Sequence, residues 1–188
     1  MEEEQEPPSP AALTVSALIF YVVMAVIGVG LMAMQGSSWV LIVFGDGQHL
    51  LRDTAAGAIA GLAVVGLTRL SLRLEAVRAL NDTLREMLGS PGTGAIAVLA
   101  VSSAIGEELL FRGALQPTLG LVLTSVIFAA LHGGLNPRFR LWALFALGAG
   151  LLLGGLTLWT GNLLAAILCH LTVNYFNLHT LIHGEEQA

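Results

Sequence analysis

The sequence predicts an all-α fold: a polytopic transmembrane helical bundle of about six spans plus one interfacial amphipathic helix. Of its 188 residues, 55% are hydrophobic and only 11% are charged, and the mean hydropathy is +0.80. Soluble domains carry about 25% charged residues, which they need to cover their surface. Several runs of about 20 apolar residues are present instead, and that is the length of a helix that crosses a bilayer. The chain length suits one transmembrane domain over residues 11–182.

Turn residues separate the apolar runs and so define the predicted spans. The spans cover residues 11–34, 54–70, 94–116, 119–133, 141–160 and 163–181. The apolar piece Trp39–Phe44 is too short to cross a bilayer alone. On the second span, Gly57 and Gly61 form a small-xxx-small pair, which permits close helix contact. Ahead of the first span, residues 1–10 are acidic and proline-rich, so we expect them to be disordered.

Residues 71–90 differ in kind from the spans. Apolar side chains recur there at helical spacing, and Arg, Glu and Asp fill much of the rest. This pattern predicts an amphipathic helix that lies at the membrane interface and is closed by Pro91-Gly92.

The charge pattern says little about macromolecular partners. Much of the formal net charge of -5 comes from Glu residues near the two ends of the chain. We expect the lipid bilayer as the environment, no nucleic acid partner, and a multi-pass location in the cell membrane, while the oligomeric state stays open. The single Cys169 excludes an internal disulfide and a multi-Cys metal cage. The first apolar run follows acidic rather than basic residues, so we predict a retained span and not a cleaved signal peptide.

Ionisable residues are rare in the last four predicted spans. Those between residues 94 and 135 are Glu107, Glu108, Arg112 and His132, and the last two spans add His170 and His179. An ionisable group at mid-membrane costs at least about 2.5–3.5 kcal/mol and is by default a hypothesis of a functional site. Two adjacent carboxylates compound that cost, so the sequence predicts that other groups compensate for them.

The spacing of these residues suggests how they meet. Glu107 lies 12 residues before Leu119, and His132 lies 13 residues after it. If the third and fourth spans form a hairpin, both side chains sit about 18 Å from the turn and can face each other. His170 and Asn174 are spaced i,i+4 and share one face of the last span.

This set of residues suits the activation of a water molecule. A carboxylate in an apolar surrounding is a credible general base, and a facing imidazole can share the water and pass on its proton. A second imidazole and an amide can donate hydrogen bonds to a developing oxyanion. Arg112 lies four residues after Glu108, where it can pair with that carboxylate. The pattern therefore indicates a hydrolytic site without a Ser or Cys nucleophile.

Three motifs resemble those of the CAAX protease and bacteriocin-processing family of intramembrane endopeptidases, also called the abortive-infection (Abi) family. The motifs are Glu107-Glu108-Leu-Leu-Phe-Arg112 for EExxxR, Phe128 with His132 for FxxxH, and His170 with Asn174 for HxxxN. They occur in the family's order on successive membrane segments. The resemblance covers residues 94–178, which we expect to form the catalytic core.

The resemblance implies a role for each motif residue. Glu107 and His132 would activate the catalytic water, and Phe128 would support the site. Glu108 and Arg112 would hold it together, and His170 and Asn174 would form the oxyanion site. The implied activity is hydrolysis of a peptide bond in a membrane-associated protein or peptide. Eukaryotic members of the family cleave prenylated CAAX proteins, so the resemblance suggests a substrate of this type.

The resemblance implies no cofactor. Family members were once classed as metalloproteases, but a glutamate-based mechanism without metal is now the usual interpretation. This sequence lacks HExxH, the zinc motif of many metalloproteases. Two His and two Glu could still bind one Zn²⁺.

Two other functions fit part of the pattern. A non-enzymatic member of the same fold could act as a membrane scaffold or immunity protein, although all the motif residues are intact. Buried Glu and His also mark small transporters and proton relays, but the paired broken helices of transporters are not evident. His49, His179 and His183 lie near segment ends, where solvation is the simpler explanation.

Overall fold

The computed structural model describes residues 9–134 and 136–184, and within these ranges all regular secondary structure is helical. The predicted all-α class is confirmed. Most of the segment predicted to be disordered, residues 1–8, lies outside the described ranges. Ser9 already caps the first helix, since its side chain accepts a hydrogen bond from the Ala12 amide, and Pro10 occupies the first turn, where a missing N–H costs nothing.

Eight α-helices follow one another along the part of the chain that the structure describes. They are α1 (Pro10–Met34), α2 (Trp39–Phe44), α3 (Leu50–Ser71), α4 (Glu75–Leu88), α5 (Thr93–Glu108), α6 (Gln116–Ala129), α7 (Arg140–Thr160) and α8 (Leu164–His183). Two π-helical segments, Leu109–Leu115 and Ala130–Gly134, continue α5 and α6. A 3-10 turn at Pro137–Phe139 precedes α7.

Four helical stretches among the described residues are long and apolar enough to cross a membrane. They are Pro10–Met34, Leu50–Ser71, Thr93–Gly134 and Pro137–Thr160. The third stretch contains both spans predicted at 94–116 and 119–133, joined end to end. The last predicted span, 163–181, corresponds to α8 and is not among the four, because its His and Asn side chains lower its apolar character. The chain is an integral membrane protein.

Gly120 breaks the long third stretch. Its backbone angles, φ 77° and ψ 166°, lie outside the helical region and are open to glycine but not to residues with a side chain. The chain reverses there, as a ring contact shows: Phe111, nine residues before the break, meets Phe128, eight residues after it, edge to face at 5.0 Å between ring centroids. The predicted hairpin is therefore present, with its turn at Gly120.

Helix α8 is the central packing element, against α3, α5 and α7. Its close approach to α3 depends on Gly57 and Gly61, the predicted small-residue pair. A Cβ on Gly61 would lie 2.7 Å from the Thr172 Cβ atom and 3.0 Å from the Cys169 carbonyl oxygen. Without these two side chains, the helix backbones can approach closely and gain the dispersion contacts that drive association in lipid.

Helix α4 is the predicted amphipathic helix, and none of its residues is fully buried. It contacts the ends of α7 and α8. Arg85 donates to the Ile182 carbonyl oxygen at 3.0 Å, and Arg138, just before α7, approaches the Thr83 hydroxyl at 3.4 Å. The helix thus lies across the ends of the spans and does not cross with them.

We predict that Gly61→Val destabilises the protein by about 1–3 kcal/mol, because the larger side chain overpacks the interface between α3 and α8. Gly66→Val is the matched control on the same helix, since a Cβ there meets nothing within 4 Å. Thermal unfolding of the detergent-solubilised variants measures both effects. Equal midpoints for the two variants would show that the close α3–α8 contact does not matter.

Candidate active site

The adjacent carboxylates of Glu107 and Glu108 meet the ring of His170. Both lie at the end of α5 and are buried, with 6% and 0% of their surface exposed. His170 Nδ1 is 2.8 Å from Glu108 Oε1, and its Nε2 is 3.7 Å from Glu107 Oε2. Since a carboxylate accepts hydrogen bonds, His170 donates from Nδ1 to Glu108. One imidazole therefore contacts both carboxylates.

Arg112 balances the charge of Glu108. Its Nη1 donates to Glu108 Oε1 at 2.8 Å, the i,i+4 contact that the spacing predicts, and its Nη2 approaches the Gly150 carbonyl oxygen at 3.4 Å. The guanidinium carbon lies 4.4 Å from the ring centroid of Phe128, which is within the range of a cation–π interaction. Arg112 is itself 2% exposed. This ion pair is the compensating interaction expected for carboxylates inside an apolar bundle.

His132 approaches Glu107 from the other arm of the hairpin. Its Nε2 lies 4.0 Å from Glu107 Oε2, and its Nδ1 is 2.8 Å from the Phe128 carbonyl oxygen. A carbonyl can only accept, so Nδ1 carries a proton and donates it, and Nε2 is the nitrogen that faces Glu107. Contacts with the Phe128 and Trp142 rings, at 4.2 and 5.5 Å between centroids, fix the ring plane.

Glu107 Oε2 thus faces two imidazole nitrogens, the Nε2 atom of His170 and the Nε2 atom of His132. The separations of 3.7 and 4.0 Å are longer than a direct hydrogen bond, which ends near 3.2 Å for nitrogen and oxygen. A bridging water can join two such groups. The site therefore combines a carboxylate that lacks a direct hydrogen-bond partner on Oε2 with two imidazole nitrogens within reach of a bridging water.

The π-helical segments place these groups. Leu109–Leu115 begins directly after Glu108, and its wider turns shift the backbone carbonyl groups out of the α-helical register. Gln35 on the first connection donates to one of them, the Ala114 carbonyl oxygen, at 3.1 Å. The second segment, Ala130–Gly134, contains His132 with non-helical angles (φ -85°, ψ 33°). Such π-helical turns occur frequently at functional sites.

Asn174 shares the predicted face of α8 with His170 and also points toward α5. Its Nδ2 donates to the Ser103 hydroxyl at 2.9 Å. The sequence analysis did not single out Ser103. Its position, four residues before Glu107 on the same helix, was the available signal, because residues at this spacing share a face.

A second buried polar contact was also missed. Asn162 Nδ2 donates to Asp53 Oδ2 at 2.6 Å, and Asn162 Oδ1 accepts from the Leu164 amide at 3.0 Å. Arg52 donates to the other oxygen of Asp53 at 2.7 Å. These contacts tie the start of α8 to α3 and so set the depth of His170 in the bundle. The sequence analysis treated Asn162 only as a turn marker.

The other histidines lie away from this cluster. His179 and His183 contact each other at 4.9 Å between ring centroids near the end of α8. His49 precedes the first residue of α3 and is exposed. His49 is thus solvated as expected, whereas His179 and His183 are only partly exposed, and His183 Nε2 is buried without a hydrogen-bond partner among the described residues.

The site residues as placed do not fit a metal ion. Among residues 9–134 and 136–184, no group of three or more His, Cys, Asp or Glu could hold one. Glu108 is engaged by both Arg112 and His170. We therefore derive no catalytic step through a metal.

An apolar groove of about 530 Å³ runs between α1 and α5 beside the site. Its lining includes Tyr21, Ser102 and Gly106, the last directly before Glu107 in the chain. Gly106 allows the two helices to touch, because a Cβ there would lie 2.6 Å from the Tyr21 carbonyl oxygen. Almost all of the groove surface is apolar.

Comparison with known proteins finds a family similar to the segment that holds this site. Residues 90–176, which contain every residue of the cluster, match the family of type II CAAX prenyl endopeptidase Rce1-like proteins. The segment is Rce1-like. The resemblance seen in the three motifs is therefore confirmed for this segment.

The Rce1-like segment is also similar to the uncharacterized protein YpbD of Bacillus subtilis (strain 168). The two are 40% identical over 81 residues, which is 42% of this chain and 41% of YpbD. The match thus spans less than half the length of this curated relative. No solved structure matches the chain.

We predict that Arg112→Met destabilises the Rce1-like segment by about 3–5 kcal/mol, because it leaves the Glu108 carboxylate buried without its cation. The double variant Glu108→Gln with Arg112→Met should recover part of this loss, since no isolated charge remains. Thermal unfolding in detergent compares the two. If the double variant is less stable than Arg112→Met alone, charge balance is not the source of the effect.

Proposed function

We propose that this protein is an intramembrane endopeptidase that hydrolyses a peptide bond of a membrane-associated protein or peptide. The observation that supports this most strongly is the position of Glu107 Oε2 between the Nε2 atoms of His170 and His132, at 3.7 and 4.0 Å. The three groups are drawn from α5, α8 and the end of the hairpin, inside an apolar bundle. A prenylated CAAX-type protein is the substrate class that the Rce1-like similarity favours.

In the proposed reaction, Glu107 is the general base. A water held between Glu107 and His132 gives one proton to this pair as its oxygen attacks the carbonyl carbon of the scissile bond. The carbonyl π bond becomes an oxyanion in the tetrahedral intermediate. When the intermediate collapses, the C–N bond breaks and the same proton passes to the leaving amine nitrogen. The products are a carboxylic acid and an amine, so one water is consumed.

The remaining residues support this reaction. Glu108 accepts from His170 Nδ1, which fixes the ring and stabilises a positive charge on it, as a buried carboxylate does for the histidine of a catalytic triad. The charged ring can then donate from Nε2 to the oxyanion. Arg112 keeps Glu108 available for this role. Asn174 offers an amide N–H on the same face of α8.

The wider organisation follows from the same proposal. Residues 94–178 form the catalytic core within a single transmembrane domain, 11–182, and the protein acts in the cell membrane. The mechanism proposed here uses only the side chains of the chain.

We predict that Glu107→Gln and His132→Ala each lower peptide cleavage by about 100- to 10,000-fold, the usual contribution of a general acid–base group. His179→Ala is the matched control, because this histidine contacts His183 near the end of α8. The assay uses purified protein in detergent and a panel of membrane-tethered peptides that includes farnesylated CAAX peptides, with and without chelator.

The outcomes separate the competing functions. If wild type cuts no peptide, or if the two variants cut as well as wild type, the non-enzymatic scaffold becomes the better explanation. Cleavage that a chelator abolishes and Zn²⁺ restores would require a metal in the mechanism.

A further inference from the structure

We propose that Ser103 is a positioning residue, which orients the amide of Asn174 for the reaction and fixes the register of α5 against α8. This inference rests on the proposed function. Ser103 is 4% exposed and accepts a hydrogen bond from Asn174 Nδ2 at 2.9 Å, between residues 71 positions apart in the chain. It belongs to none of the three sequence motifs.

The Ser103 hydroxyl determines which side of the amide faces α5. Its single hydrogen is donated to the Ala100 carbonyl oxygen at 3.2 Å, so its oxygen is left to accept. An Asn174 amide turned by 180° would either place its carbonyl oxygen against the Ser103 oxygen or require Ser103 to give up its hydrogen bond to Ala100, and both are unfavourable in an apolar interior. Ser103 therefore selects the orientation in which one N–H of Asn174 is bound to α5. The second N–H is held in a defined direction.

The same hydrogen bond sets the alignment of the two helices. Ser103 is four residues before Glu107 on α5, and Asn174 is four residues after His170 on α8. The two helices run antiparallel here, so the Ser103–Asn174 and Glu107–His170 contacts are neighbours about 6 Å apart along the helices. Loss of the Ser103–Asn174 contact would let Glu107 and His170 move relative to each other, and small displacements of catalytic groups lower the reaction rate.

The adjacent Ser102 provides a matched control within the same helix. Its hydroxyl donates to the carbonyl oxygens of Val98 and Leu99, at 2.7 and 3.3 Å, and these belong to its own helix. Ser102 lines the apolar groove and is not directed at α8. A Ser→Ala change at this position removes the same group from α5 without touching Asn174.

The experiment compares Ser103→Ala, Asn174→Ala, the double variant and Ser102→Ala on a membrane-tethered peptide that wild type cleaves. We expect Ser103→Ala to lower kcat by about 10- to 100-fold with little change in KM, as for residues that orient a reacting group. Asn174→Ala should lower kcat by about 100- to 1,000-fold, as for an oxyanion donor. The double variant should match Asn174→Ala, and Ser102→Ala should match wild type.

The non-additive result identifies positioning, because Ser103 has nothing to orient once the amide is gone. The inference is overturned if Ser103→Ala cleaves like wild type, or if the double variant is slower than Asn174→Ala by the full Ser103→Ala factor. Glu107→Gln is measured on the same peptide. An inactive Glu107→Gln beside a fully active Ser103→Ala overturns only this inference, whereas an active Glu107→Gln overturns the proposed function itself.

Discussion

Arg112, Glu108 and His170 form a buried charged network, and the rest of the bundle is arranged around it. Arg112 and His170 both donate to the same oxygen of Glu108 at 2.8 Å. Charges in an apolar interior lose several kcal/mol of hydration each, and only close pairing with further hydrogen bonds offsets the loss. In this network the Glu108 carboxylate and the Arg112 guanidinium neutralise each other. That leaves the neighbouring carboxylate, Glu107, without a direct hydrogen bond on Oε2, and it is the carboxylate that the proposed reaction uses.

The network fixes where the helices can lie. His170 must reach α5, so α8 packs into the bundle, and the glycines of α3 allow it to sit close on its other side. Asp53 and Asn162 hold the start of α8, and Thr68 with Asn177 links α3 to α8 near the far end at 2.9 Å. The His170 side chain and the Asn side chains of α8 thus find hydrogen-bond partners on neighbouring helices, and this allows α8 to be less apolar than a typical span.

Local pattern was sufficient to predict the all-helical class, the hairpin and the meeting of Glu107 with His132. The reason is geometric: a sharp turn and a constant rise of about 1.5 Å per residue place equidistant residues side by side. The i,i+4 pairing of Glu108 and Arg112 is equally local. In contrast, Ser103 with Asn174 and Asp53 with Asn162 pair across long separations. The spacing of polar residues along one helix does not indicate which distant helix they meet, nor the register in which the two helices pack.

The same limit explains the difference in span count. The sequence analysis counted residues 94–116 and 119–133 as two spans and counted α8 as a span because of its length. In the structure the two arms of the hairpin form one helical stretch, Thr93–Gly134, that is broken at Gly120. The place of α8 inside the bundle depends on its packing against α3, α5 and α7 more than on its own hydropathy. Polar side chains on it are satisfied by specific partners, which composition alone cannot reveal.

The π-helical segment Leu109–Leu115 makes the length of this part of the chain as important as its composition. Each extra residue in a helix turns all that follows by about 100° relative to what precedes it. Deleting one residue there would relax the segment to α-helix and rotate the Gly120 turn, with His132 beyond it, away from Glu107. Insertions and deletions in this stretch therefore move His132 relative to Glu107, so related chains that keep the chemistry should keep this spacing unchanged.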